Sequence, residues 1–161
     1  MKAEPQKEHA WLQKLVGEWS FEGECSMGPD QPSMKNTGSE SVRSVGGLWT
    51  VGEGRGEMPD GTPMTSMMTL GYDPQKQRFT GSFIASMMTY LWLYDGELDA
   101  SGRVLTLNAE GPGMSGDGKM AKYQDVIEFK SDDHRILTAR VQGDDGQWTE
   151  FMTAHYRRLP V

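Results

Sequence analysis

Hydrophobic and polar positions change period once along this chain, near residue 17. Before it, Glu8, Trp11, Leu12, Leu15 and Val16 recur at helical spacing and predict a helix over residues 5–16. Pro5 suits its first turn, and Gly17 can take the left-handed conformation that stops it. So short an amphipathic helix is marginal in water, so it must pack on whatever follows. From Glu18 onward the period is two. Trp19, Phe21, Gly23, Cys25 and Met27 share one face of the first strand, with Ser20, Glu22, Glu24 and Ser26 on the other, before Gly28-Pro29-Asp30 breaks the chain. Further strands are predicted over residues 34–45, 48–58, 65–72, 78–86, 88–94, 103–110, 119–130, 136–142 and 148–159. Asp95-Gly96 reads as a bulge or turn. About ten strands in sequence, joined by short Gly-, Pro- and Asp-rich turns, predict an all-β, antiparallel, up-and-down barrel, because closure removes the edges that an open meander would expose.

Composition narrows this picture without changing it. A chain of 161 residues fits one domain, helix and barrel together, and its 20 glycines stand singly between apolar runs as turn and bulge positions. The net charge of −7 and the scarcity of Lys/Arg clusters argue against nucleic acid and anionic membranes, which both need a basic patch. Cys25 is a lone cysteine and cannot form an intramolecular disulfide, and residues 1–8 hold no apolar signal core. The expectation is a cytoplasmic protein, unless a signal peptide was removed. The 12 methionines, two pairs of them adjacent at Met67-Met68 and Met87-Met88, suit an adaptable interior.

Candidate chemistry is sparse. The loop from Gly111 to Gly118 contains G-x-G-x-x-G and, ending at Lys119, most of a phosphate-binding loop. Both motifs need a helix to begin there, whereas residues 119–130 alternate as a strand, and Met120 stands where Ser or Thr would reach magnesium. The loop therefore reads as a hairpin tip. No metal cofactor is expected and no catalytic set is assigned. His9 and His134 read as solvated, while His155 lies within the last strand between Ala154 and Tyr156. Trp49, Glu53 and Arg55 share one side of the third strand, opposite Thr50, Gly52, Gly54 and Gly56; if Trp49 points inward, so does Arg55, and it then needs an anionic partner in Glu53 or in a ligand. With Met68, Met88, Tyr90, Trp92, Tyr123 and His155, these make up the candidate ligand-binding set.

Leu15-Val16-Gly17-Glu18-Trp19, with its Gly-x-Trp after a short helix, resembles the lipocalin and calycin superfamily. Together with Gly71-Tyr72-Asp73, Tyr94-Asp95-Gly96 and Tyr156-Arg157-Arg158, it resembles more closely an uncharacterised bacterial calycin-like family of unknown function. That likeness implies a barrel and no activity. Gly17, Trp19 and Gly23 also resemble the first strand of the nitrobindins, ten-stranded haem-binding barrels; that resemblance implies haem chemistry on a reactive nitrogen species, with His155 as the axial ligand. The leading expectation is a non-catalytic binder holding a small apolar or amphipathic molecule inside the barrel. Haem binding through His155 is the second reading. The third is an interaction protein with a filled core that forms a homodimer through an exposed sheet face.

Overall fold

The structure, a computed structural model, describes residues 2–26 and 32–160. One helix, α1 (Lys7–Gln13), precedes ten strands: β1 (Gly17–Cys25), β2 (Met34–Val45), β3 (Trp49–Glu57), β4 (Pro63–Asp73), β5 (Arg78–Ala85), β6 (Trp92–Leu98), β7 (Val104–Pro112), β8 (Met120–Ser131), β9 (His134–Gln142) and β10 (Trp148–Arg158). Each strand pairs antiparallel with the next in sequence, and β1 pairs with β10 to close the barrel. The predicted break at Gly28-Pro29-Asp30, and Met27, lie outside the described residues.

Ladder registers fix which side chains face the interior. Trp19, Phe21, Gly23 and Cys25 do so from β1, as their alternation with Glu18, Glu22 and Glu24 predicts. Two predicted elements shift. The helix is shorter than residues 5–16. The sixth strand begins at Trp92 rather than Met88 and carries Asp95-Gly96 in its middle, where the Gly96 position lies against the Thr106 carbonyl and Leu107 of β7. A glycine at that close approach keeps the strand going instead of turning it.

The helix end of the barrel is sealed. Leu12, Trp19 and Leu105 are wholly buried, and Trp11, Leu15, Val42, Leu70, Phe79, Ile127 and Phe129 pack with them. Polar clasps fix the helix across this base: Trp11 Nε1 donates to the Gly102 carbonyl at 2.6 Å, and the His9 ring meets the Tyr72 carbonyl at 3.1 Å. His9 is therefore buried, against the expectation of a solvated residue; its ring also accepts from the Gln6 amide at the start of α1. Gly17, at φ +139°, opens β1 in a conformation closed to L side chains, and a Cβ there would meet the Arg158 guanidinium.

The walls are held close in the middle of the sheet. At Gly81 an added Cβ would run into the Thr69 carbonyl and a methyl of Leu70. Gly81→Ala is expected to lower the unfolding free energy by about 1–2 kcal/mol, read as a reduced urea midpoint at unchanged m-value; an unchanged midpoint would show that β4 and β5 can part at this point.

Candidate functional site

The barrel interior divides into a dry base, a polar middle and an accessible mouth. Inward side chains near α1 are buried, whereas those toward the opposite end, Met64, Ser66, Phe83, Trp92, Ala121, Val141 and Met152, are only half-buried. In a closed sheet an inward side chain can reach water only through the lumen. The exposure gradient therefore marks the open end, where the turns 86–91, 113–119 and 143–147 also lie. Met87, Met88, Leu91, Met114, Met120 and Trp148 are exposed around that rim.

The polar middle contains two groups. On one side Arg135 of β9, 4% exposed, forms an ion pair with Glu40 of β2. Its guanidinium lies 4.5 Å from the Trp19 ring and 4.1 Å from the Tyr156 ring, and its Nε has no hydrogen-bond partner. The guanidinium plane matches the aromatic faces, which lets a cation sit against a largely apolar base. Glu40, Arg135, Thr50, Met68 and Leu15 border a small void of about 20 Å³, room for one water molecule. On the other side Tyr94 of β6 donates its hydroxyl hydrogen to Asp125 Oδ2 of β8 at 2.5 Å. Desolvation pushes the Asp125 carboxyl up to about 6, against the opposing pull of the Tyr94 hydrogen bond. Burial, and then the nearby Asp125 charge, raise Tyr94 well above the ordinary phenol range; burial and the Glu40 charge raise Tyr156 likewise.

Above this layer runs an aromatic arc. Trp92 meets Tyr90 and Tyr123 edge-on at centroid distances of 5.0 and 4.9 Å, and Tyr123 meets Phe151 at 6.1 Å. The ring hydroxyls are tied to backbone, Tyr90 to the Glu110 carbonyl at 3.0 Å and Tyr123 to the Pro112 carbonyl at 2.6 Å. The bulge between Glu150 and Met152 turns Phe151 toward this arc. Opposite it, Phe21 lies against Gly38 and near Gly56, so the glycine lane of β2 and β3 makes space for a ring.

The predicted site residues fall into two sets. Met68, Tyr90, Trp92 and Tyr123 are brought to the inner wall or its mouth, with Met88 exposed on the rim. Trp49, Glu53 and Arg55 are not. β3 turns its glycine side inward, leaving Arg55 paired with Glu53 at 2.6 Å on the outer surface and Trp49 lying over Gly71. Trp49 does not point inward, so the condition that would carry Arg55 into the lumen as a candidate ligand-binding residue is not met: the inward parity belongs to Thr50, Gly52, Gly54 and Gly56, and the glycines leave room for Phe21 and Glu40.

His155 is also outside. Its Nδ1 lies 3.0 Å from His134 Nε2, with the rings stacked, and it sits opposite Glu22 on the outward face of β1. His134 belongs to β9 rather than to a solvated turn, and burial, aided by Arg157, lowers its proton affinity. β10 turns Ala154 and Tyr156 inward and the His155 imidazole away, so His155 is not placed to be the axial ligand of a haem inside the barrel. Among the described residues no group of three His, Cys, Asp or Glu side chains could hold a metal ion.

Sequence reading missed Glu40, Tyr94, Asp125 and Arg135 as a group. For Asp125 a signal existed: it shares the parity of Tyr123, Ile127 and Phe129, so a carboxylate interrupts an otherwise inward apolar stripe. For Glu40 and Arg135 the flanking polar residues hid the parity. A second concavity, of about 520 Å³, lies on the outer face, lined by Leu93, Asp95, Asn108, Glu110, Lys122 and Trp148 among others. Two of its polar residues are tied within the sheet: Asp95 binds Arg78, and Asn108 bridges the Asp95 carbonyl and Gln124. The lumen, with less satisfied polar groups, is the better candidate.

Comparison with known structures agrees with this architecture. A crystal structure of Rv2717c from M. tuberculosis superposes with a TM-score of 0.68 at 12% identity, covering 98% of this chain and 100% of that one. The S-type phycobiliprotein lyase CPES from Guillardia theta gives 0.65 at 11% identity, covering 98% and 99%. A redesigned barrel, EF1p2_mFAP2b bound to DFHBI, gives 0.50 at 14% identity, covering 94% and 98%. At such identities the likeness extends to the fold alone. No curated protein matches the sequence. The family model described as "Protein of unknown function (DUF1579)" matches residues 4–158, and the chain belongs to that family.

Proposed function

We propose that this barrel binds a small amphipathic molecule in its lumen, between the sealed base and the aromatic arc at the mouth. The observation that carries the reading is the accessibility of side chains deep on the inner wall. Asp125, Leu137 and Tyr156 all face inward in a closed barrel, yet each keeps water-accessible surface, while Trp19 and Leu105 below them have none. A barrel of eight strands is just filled by its side chains or holds one small ligand, and ten strands enclose more. Apolar walls carrying a few fixed polar groups are the usual composition of a small-molecule site. Support by analogy comes from the designed barrel of similar fold bound to DFHBI.

Nile red, a neutral fluorophore that brightens in apolar surroundings, tests this directly. The wild type is expected to bind it saturably at one site, and Ala109→Trp to bind at least tenfold more weakly, because Ala109 is a buried small residue on the inner wall of β7. Wild-type protein that shows no saturable binding would remove the proposal.

A further inference from the structure

Two carboxylates face the middle of the lumen among the described residues, and they are treated differently. Glu40 is paired with Arg135. Asp125 has no cation. Its cross-strand neighbours are Leu107 on β7 and Ala139 on β9, whose side chains cannot hydrogen bond, and its one side-chain partner is the Tyr94 hydroxyl. An ionised carboxylate offers about four acceptor positions, so most of this one is unfilled. A charge in a largely desolvated position without a cationic partner is costly, and such a group is a candidate for meeting its partner in a ligand.

The charged and titratable groups that share the middle and mouth of the lumen with Asp125 are Tyr123 on β8 itself, Tyr94 on β6, Tyr156 on β10, Cys25 on β1, Glu40 on β2 and Arg135 on β9. Arg135, the one cation among them, is held by Glu40, and its ring contacts with Trp19 and Tyr156 fix it at the base. An anionic head group entering the lumen would meet two carboxylates and a guanidinium already engaged. A cationic head would meet a free carboxylate and the π-faces of tyrosines, which attract ammonium groups. Resting on the lumen reading above, we propose that Asp125 anchors the ammonium or similar N–H-bearing cationic head of an amphipathic ligand, whose apolar part extends toward the mouth past Trp92 and Tyr123.

Calorimetric titration with three matched probes below their micelle-forming concentrations, decylamine, 1-decanol and decanoate, tests the charge preference at pH 7.5. Decylamine is expected to bind the wild type at least tenfold more tightly than either of the others. Asp125→Asn, which keeps an oxygen for the Tyr94 hydroxyl, is expected to lose that preference, its decylamine affinity falling at least tenfold to the level of 1-decanol on the same variant. Equal binding of amine and alcohol, or tightest binding of decanoate, would overturn the anchor and leave the lumen reading standing. Failure of all three probes would remove both. Should Asp125→Asn fail to fold, the ranking of the probes on the wild type decides alone.

Discussion

Trp19→Ala is expected to destabilise the protein by about 3–5 kcal/mol, enough to consume a large part of the marginal stability of a domain this size. The magnitude follows from what the indole does at the base of the barrel. It is wholly buried, its Nε1 donates to the Leu15 carbonyl at 2.9 Å just after α1, and the Arg135 and Arg158 guanidinium groups lie 4.5 and 4.2 Å from its ring. Removing it creates a cavity, frees a carbonyl and leaves two cations without their aromatic surface. Urea unfolding followed by far-ultraviolet circular dichroism measures the loss, and Trp19→Phe, which restores most of the volume without the hydrogen bond, should recover more than half of it. A loss below about 1 kcal/mol would show that the base closes without this residue.

Asp125→Asn is expected to have the opposite sign. An acid whose folded-state affinity for protons is raised binds more protons folded than unfolded, so stability falls as pH rises through the interval between the two values. For Asp125 that interval runs from the ordinary aspartate value of 3.8 to about 6. At roughly 1.4 kcal/mol per pH unit, the ionised carboxylate costs the fold about 2–3 kcal/mol at neutral pH. The asparagine variant should therefore be more stable than the wild type by about that amount at pH 7.5 and equal to it near pH 4, in unfolding curves recorded side by side. Equal stability at both pH values would mean that the carboxylate is well solvated where it stands. A gain in stability joined to a loss of amine binding would identify Asp125 as a residue kept for function at the expense of the fold.

The fold was legible because its determinants are local. Strict alternation in β1 and the single turns between strands predicted ten elements in order, and Gly17 and Trp19 marked the join of helix and sheet. Parity was the weak point. On β3 the sequence left open whether tryptophan, valine and arginine or the glycines form the inner face; a barrel needs small residues wherever a large neighbour such as Phe21 crosses the lumen, and the glycines went inside. Alternation says that two faces exist, and packing against distant strands decides which one is buried. The same limit hid the site. Glu40 and Arg135 are 95 residues apart in sequence and meet only because closure through β1 and β10 brings the inner faces of β2 and β9 together. The side on which His155 lies stayed open in the sequence because nothing local decides the parity of β10.

Closure has a kinetic side. Nine of the ten ladders join consecutive strands and can form as local hairpins, but the tenth pairs residues 19–25 with residues 152–158. Its loop-closure entropy has to be met before its contacts yield anything, so the last step of folding is a single long-range docking rather than further growth of the meander. Arg158 supplies the latch for that step, donating to the Val16 and Lys14 carbonyls at 2.8 and 2.9 Å while covering Trp19. Until it arrives, β1 and the growing end of the sheet both remain open edges, and it is in that interval that the chain is most exposed to pairing with another copy of itself.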